Sequence, residues 1–264
     1  MQRILAFLLS FVVVGAAAQE LSLTYSFKKG ETIRTKETMT QAVTAEGMPG
    51  GGQMVKNVRY TSTAVNAVTK DGTADLVRST DSSAMTLNEK PFTNPQASMA
   101  EKIAFRLKMD KYGKVLEAGP AEEPKDAVAK QLSDAMALQF KNSPGFPSRK
   151  VKVGEAWDDE VTNNQPTPNG VLTITVKTKT TVEKVDKMDG VDVAVLQMTG
   201  TLSGELGAGM GTITGAVKGT RYFAYKSGYE LRSVIETDQT MDVQTPQGNM
   251  MMQTKMHQEK ERMK

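Results

Sequence analysis

The sequence predicts a mainly β (α+β) fold: a long-stranded antiparallel curved sheet or half-barrel, with one main α-helix over about residues 122–141. Three observations predict it. Apolar and β-branched residues alternate with polar residues over long segments, which is the period of a strand with one buried face. Tight turns that contain Gly separate these segments. One segment, in contrast, has the apolar period of a helix.

The clearest strand pattern begins at Val171. Leu172, Ile174 and Val176 share one parity, and threonines and lysines occupy the other. The turn at Asp189-Gly190 is typical of a hairpin, because both residue types tolerate positive φ. Further strands are predicted over 191–202, 211–225, 229–243 and from 250 to about 256. Strands of roughly 12–15 residues are about twice the usual length and twist strongly, so a curved sheet is favoured over a flat one.

The N-terminal half has the same kind of pattern. A Gly-rich loop is predicted over 47–52, and a short helix over 99–104. The buried face of one N-terminal strand is predicted to carry Val58, Tyr60, Ala64 and Val68. The predicted strands cover 21–27, 32–44, 55–69, 73–87, 105–109 and 114–117.

The predicted helix over 122–141 has both end signals and an apolar stripe. Glu122, Glu123 and Pro124 fall in the expected first turn, where acidic residues and Pro are favoured. The chain breaks after Lys141 in a segment that contains two prolines. We expect the stripe to pack on the sheet, and it consists of Val128, Leu132, Met136 and Phe140.

The two halves share an order of elements, which predicts a pseudo-duplication. A Gly-Glu pair precedes the long strands of each half, at Gly30-Glu31 and Gly154-Glu155, and each half has a later turn, at Lys70-Asp71-Gly72 and at Lys187-Met188-Asp189-Gly190. The predicted organisation is a first β repeat at 19–120, a linking helix and loop at 121–147 and a second β repeat at 148–264, all in one compact unit.

The first 18 residues predict a secretory signal peptide. Arg3 is followed by an apolar stretch and by Ala16-Ala17-Ala18, which fits the small-residue cleavage pattern. An exported chain, periplasmic or extracellular, is therefore expected, with no membrane span after the signal. The 33 basic and 30 acidic residues are interspersed, which excludes a basic surface for nucleic acid.

Few residues point to chemistry. The chain has no cysteine and one histidine, His257, so thiol nucleophiles are excluded and no catalytic residue or cofactor is predicted. Methionine is abundant, at 17 residues. Thioethers bind Cu(I), and the candidates for such a site are Met250, Met252, Met256 and His257. The alternative is that these methionines fill a core or line an apolar cavity.

Several motifs together resemble a family of exported bacterial proteins with a domain of unknown function. They are the segment Phe27-Lys28-Lys29-Gly30-Glu31, a closing Gly219…Phe223 and Gly228-Tyr229 strand pair, and a central motif made of Pro147, Val151, Val153, Gly154, Glu155 and Trp157. The resemblance covers most of the chain after residue 18 and implies no activity. At the level of fold, long strands wrapped on a helix are similar to bacterial envelope carriers that hold acyl chains in a half-barrel.

The sequence therefore supports two hypotheses. The first is a non-enzymatic envelope binding protein for a lipid or another apolar ligand. The second is a structural or interaction protein of the envelope that binds another protein and no small molecule. The residues predicted to line an apolar site are Leu172, Ile174, Val176, Phe223, Tyr225, Met250 and Met252.

Overall fold

The structure is a computed structural model that describes residues 19–45, 52–167, 170–207, 210–245 and 248–263. The predicted signal peptide at 1–18 and all but the last residue of the predicted loop at 47–52 lie outside the described residues. Both remain predictions.

One continuous antiparallel sheet of twelve strands dominates the fold. Its long strands are β2 (Thr32–Ala45), β3 (Gln53–Val68), β4 (Ala74–Leu87), β9 (Ala156–Thr167), β10 (Gly170–Met188), β11 (Val191–Leu206), β12 (Gly211–Ala224), β13 (Tyr229–Thr245) and β14 (Gly248–Arg262). Its short strands are β5 (Lys90–Pro91), β6 (Phe105–Met109) and β7 (Val115–Pro120). A separate pair joins β1 (Glu20–Leu21) to β8 (Val151–Lys152).

The sheet runs in the order β7-β6-β4-β3-β2-β14-β13-β12-β11-β10-β9, with β5 beside β4, and its two edges do not pair with each other. This confirms the predicted mainly β fold. Strand β14 pairs with β2, so the N-terminal and C-terminal halves contribute to the same sheet. The division into two pseudo-repeats remains a prediction.

The predicted first strand over 21–27 is wrong except at its start. Only Glu20–Leu21 is a strand, and the chain then runs extended outside the large sheet. Its alternation has another cause, because Leu21 and Leu23 are buried in the core while Ser22 is exposed. An extended segment that crosses a core has the same period of two as a strand.

The buried face predicted for β3 is also wrong. The buried residues of this strand are Asn57, Thr61 and Val65, which have the opposite parity to Val58 and Tyr60. A bulge between Val65 and Ala67 shifts the register. The shift brings Val68 to the inner face, which is why Val68 and Val65 pack in the same core cluster.

Two helices are present, α1 (Pro95–Glu101) and α2 (Ala127–Lys141). The short helix therefore overlaps its predicted position at 99–104 only over 99–101, and it begins four residues earlier than predicted. The main helix begins five residues after its predicted start, because Asp126 is the N-cap and accepts a 2.8 Å hydrogen bond from the Ala129 backbone N–H. Its buried residues are Ala129, Ser133 and Ala137. Of the predicted stripe, Met136 and Phe140 pack against the core around Phe105, while Val128 is exposed.

Helix α2 spans the gap between the two sheet edges. It packs on β7 at one edge. Just past its last turn, the Asn142 side-chain amide donates to the Thr162 carbonyl oxygen at 3.3 Å and also bonds the Asn163 side chain, both on β9 at the other edge. The curved sheet and α2 therefore enclose the concave side of the molecule together.

We expect Asp126→Ala to lower the free energy of unfolding by about 1 kcal/mol, because the Ala129 N–H loses its capping acceptor. Urea denaturation monitored by circular dichroism measures this change. Asp134→Ala, at an exposed position within the same helix, is the control and should cost nothing. Equal losses in both variants would contradict the capping role.

Two core clusters lie at one end of the concave face. The first is centred on Leu196, Phe223 and the N-terminal segment with Leu21 and Leu23. The second is centred on Val65, Leu76 and Phe105, under α2. The middle and the opposite end of the concave face belong to neither cluster.

Candidate functional site

The concave face holds a cavity of about 770 Å³. Its walls are the inner faces of the long strands, and α1, α2 and the segment after α2 cover it. Volumes of roughly 300–1,000 Å³ are typical of small-molecule sites. The cavity is therefore large enough for a ligand and is the candidate functional site.

A half-buried ionic cluster forms the floor of the cavity above the aromatic core. The Arg221 Nε donates to Glu230 Oε2 at 2.7 Å, and an Nη2 of Arg221 donates to the Tyr25 hydroxyl at 3.2 Å. On the side of the aromatic core, the Arg221 guanidinium lies 4.8 Å from the centre of the Phe146 ring. Tyr25 in turn contacts Phe146 and Phe223, with ring centres 5.6 and 5.2 Å apart.

The floor cluster strongly shifts the pKa values of its members. Burial alone would raise the pKa of the Glu230 carboxyl, but the charges of Arg221 and Lys260 and the hydrogen bonds from Arg221 and Ser233 lower it to about 2. Burial raises the pKa of the Tyr25 hydroxyl to about 12. Both groups therefore keep one ionisation state at neutral pH, so the cluster is a fixed structural unit.

A belt of polar and charged side chains crosses the concave face at the level of this floor. Cross-strand register places Arg59 opposite Glu37, Glu37 opposite Lys260, Lys260 opposite Ser233 and Ser233 opposite Arg221. Neighbouring strands lie about 4.8 Å apart. Residues far apart in the sequence thus form one continuous polar belt on the cavity wall.

Beyond the belt, the wall becomes more apolar, with Thr178, Thr237 and Gln239 among its lining residues. Along β12 the inner-face order is Ile213, Val217, Arg221 and Phe223, which runs from the apolar wall through the belt to the aromatic core. The same order holds on β14, where Met252 and Met256 precede Lys260. The concave face is therefore amphipathic along its strands.

Glycines shape this apolar wall. On the paired strands β11 and β12, each inner-face glycine lies opposite a large apolar residue. The pairs are Gly200 with Val217, Gly204 with Ile213, Gly211 with Leu206, Gly215 with Leu202 and Gly219 with Met198. A Cβ at Gly219 would lie 2.8 Å from the Val234 carbonyl oxygen. The close approach of neighbouring strands leaves no room for side chains there, as expected where a sheet curves tightly.

The residues predicted to line an apolar site fall into two groups. Val176 lines the cavity, and Leu172, Ile174, Met250 and Met252 share its concave face by strand alternation and register. Phe223 is fully buried in the aromatic core, and Tyr225 packs against that core. Phe223 and Tyr225 therefore lie on the aromatic-core side of the belt.

The copper candidates do not all share one face. Met250, Met252 and Met256 alternate onto the concave side of β14, and Met256 lines the cavity. His257 is exposed on the opposite side, where its Nδ1 lies 3.5 Å from a Glu236 carboxylate oxygen. The structure thus brings the three methionines onto one face without the histidine. In the described part of the chain, no three His, Cys, Asp or Glu residues are grouped closely enough to hold a metal ion.

Sequence reasoning missed the charged members of the cavity wall. The predicted buried face of β3 carries Val58 and Tyr60, so Arg59 falls on the face predicted to be exposed. The odd-numbered positions from 55 to 65 carry only two apolar residues, Val55 and Val65, so their period contains no signal of an inner face. Lys260 and Arg221 had no such signal either, because their neighbours in the belt come from other strands.

No helix within the described ranges has both the length and the apolar content needed to cross a membrane.

Comparisons with known proteins identify no family for this chain. No family model matches it, and no curated protein matches it. Among solved structures, DynF from the dynemicin biosynthesis pathway of Micromonospora chersina is 8% identical with a TM-score of 0.23, over 92% of this chain and 85% of DynF. The attachment invasion locus protein Ail of Yersinia pestis is 8% identical with a TM-score of 0.17, over 89% of this chain and 100% of Ail. The β domain of the Bordetella autotransporter BrkA is 11% identical with a TM-score of 0.20, over 87% of this chain and 98% of that domain. Similarities this weak carry no argument about function.

Proposed function

We propose that this chain is an exported, non-enzymatic binding protein of the cell envelope that holds an apolar ligand in its concave cavity. The observation that carries the proposal is the cavity of about 770 Å³, which remains between the sheet and α2 after both core clusters are packed. A chain that needed only stability would fill such a space, because interiors are normally close-packed.

The cavity wall supports an apolar ligand. Val176, Leu202 and Val217 project into the cavity from adjacent strands, and Met136 and Phe140 of α2 cover them. Apolar surface of this kind gains about 25 cal/mol per Å² when a ligand removes it from water. Methionines on this wall adapt to ligands of different shape.

Native mass spectrometry of the chain purified gently from the envelope of its own host tests the proposal. We expect a mass above that of the polypeptide, and extraction with organic solvent should remove the excess and yield an apolar molecule. A bare polypeptide mass, combined with no binding of the neutral apolar dye N-phenyl-1-naphthylamine, would reject the proposal. The interaction-protein hypothesis would then take its place.

We expect Leu202→Trp to weaken binding of N-phenyl-1-naphthylamine by at least about tenfold, because the indole would occupy cavity space and remove apolar contacts. Fluorescence titration measures this change. Thr201→Trp places the same side chain on the exposed face of the same strand and is the matched control. Equal affinities in the two variants would show that the dye binds outside the cavity.

A further inference from the structure

We infer that the ligand is an amphiphile with an anionic head group, a carboxylate or a phosphate, and that Arg59 binds this head group at the belt while the apolar chain lies along the wall of β10–β12. This inference rests on the proposed function and specifies its ligand class.

Arg59 lines the cavity from β3, and its charge has no ion-pair partner among the residues that the structure describes. Its Nε is buried without a hydrogen-bond partner among the described residues. Glu37 lies directly opposite Arg59 in the register, but its carboxylate is paired with Arg78 from the next strand. Glu101, the remaining carboxylate of the cavity lining besides Glu230, makes no ion pair with Arg59.

The other cations of the wall are already engaged. Arg78 pairs with Glu37, Arg221 pairs with Glu230, and Lys260 lies 3.5 Å from a Glu230 carboxylate oxygen. Burying a polar or charged group without a partner is costly, so proteins rarely retain one without a use. Arg59 is therefore the cation that a ligand anion would neutralise.

A second unpartnered polar atom lies beside it. Asn57 is two residues from Arg59 on the same face of β3 and is only 5% exposed. Its side-chain Oδ1 is buried and has no hydrogen-bond partner in the described structure. Rotation of the side-chain amide exchanges the positions of Oδ1 and the NH₂ group. In that orientation the NH₂ group would donate a hydrogen bond to the same anion. Two unsatisfied polar atoms, two residues apart on the same face of β3, point to a polar group that they bind.

The layout of the wall sets the orientation of the ligand. Arg59 belongs to the belt, and apolar residues follow beyond it: Val217 on β12, and Met256 after Gln258 on β14. An anion at Arg59 leaves its apolar tail the space beside Val217 and Leu202, both of which line the same cavity. A neutral apolar ligand would leave the buried Nε of Arg59 without a partner.

Displacement of N-phenyl-1-naphthylamine by dodecanoate, dodecyl phosphate and 1-dodecanol tests the inference. We expect at least one of the two anions to bind about tenfold or more tightly than the alcohol, because a hydrogen bond to a charged group adds to the shared chain contacts. Arg59→Gln should remove this preference and leave the affinity for 1-dodecanol within about twofold. Arg59→Lys keeps the charge and should retain part of the preference. Whichever anion binds more tightly identifies the head group.

Arg34→Gln is the matched control, since it removes the same charge from an exposed position of the neighbouring strand β2. It should leave the preference intact. We also expect Arg59→Gln to unfold at the temperature of the unmodified chain or above it, because no partner is lost. Equal affinity for the alcohol and both anions, or equal effects of the two Gln variants, would overturn the inference while the cavity stands. Failure of the dye to bind at all would instead reject the proposed function.

Discussion

Arg221→Met is expected to lower the free energy of unfolding by about 3–5 kcal/mol, because it leaves a buried carboxylate without its main partner. Glu230 retains 10% of its side-chain exposure, and Arg221 supplies its closest ion pair at 2.6 Å. Tyr25 loses the same donor. Chemical denaturation near pH 7 measures the loss.

The acid dependence of stability provides an independent check on this cluster. The pKa of Glu230 falls from 4.5 in the unfolded chain to about 2 in the folded one. A lowered pKa means that this stabilisation is complete above about pH 4.5 and is lost as the pH falls toward 2. By linkage it amounts to about 3 kcal/mol. Glu230→Gln should lack this part of the acid dependence, as measured by denaturation between pH 6 and about 2.

Two controls separate burial from charge. Lys218 lies on the same strand as Arg221 and forms an exposed ion pair with Glu236. We expect Lys218→Met to change the free energy of unfolding little, because exposed ion pairs contribute little. Arg221→Met combined with Glu230→Leu should be less destabilised than Arg221→Met alone, since no unpaired charge remains. If the Arg221→Met variant has the same free energy of unfolding as the unmodified chain, the cluster is not needed to close the cavity floor.

Gly215→Ala is expected to cost about 2–3 kcal/mol, because the added methyl group has no space. Its Cβ would lie 2.5 Å from the Asp238 carbonyl oxygen and 3.0 Å from the Cα of Gln239. Backbone atoms cannot turn away as a side chain can, so β12 and β13 must separate. We therefore expect a lower denaturation midpoint in urea and weaker binding of N-phenyl-1-naphthylamine, because the curvature that shapes the wall is reduced.

Gly119→Ala is the matched control for this effect. Gly119 also lies in a strand, β7, but a Cβ there would meet no atom within 4 Å. Gly119→Ala should leave the free energy of unfolding unchanged or raise it by about 0.4–1 kcal/mol, because Ala lowers the conformational entropy of the unfolded chain. Should both Ala variants behave alike, the glycines of β11 and β12 would not be required for the curvature of the sheet.

Much of the fold could be predicted from the sequence because its signals are local. The alternation of Leu172, Ile174 and Val176 with threonines and lysines specifies a strand with one inner face, and Asp189-Gly190 specifies its turn. These signals depend only on side chains a few residues apart. The sequence by itself therefore determined a mainly β chain of long strands with a main helix before residue 142.

Only the tertiary structure decided which residues form the site. The inner face of β3 near Arg59 carries the polar residues Asn57 and Thr61 and is set by pairing with β2 and β4, so Arg59 could not be assigned to the cavity from periodicity alone. The belt brings Arg59, Lys260 and Arg221 together from three strands through cross-strand register. Helix α2 covers the cavity because it reaches from β7 at one edge of the sheet to β9 at the other edge. Register and edge contacts are long-range interactions, and the local period of the sequence carries no information about them.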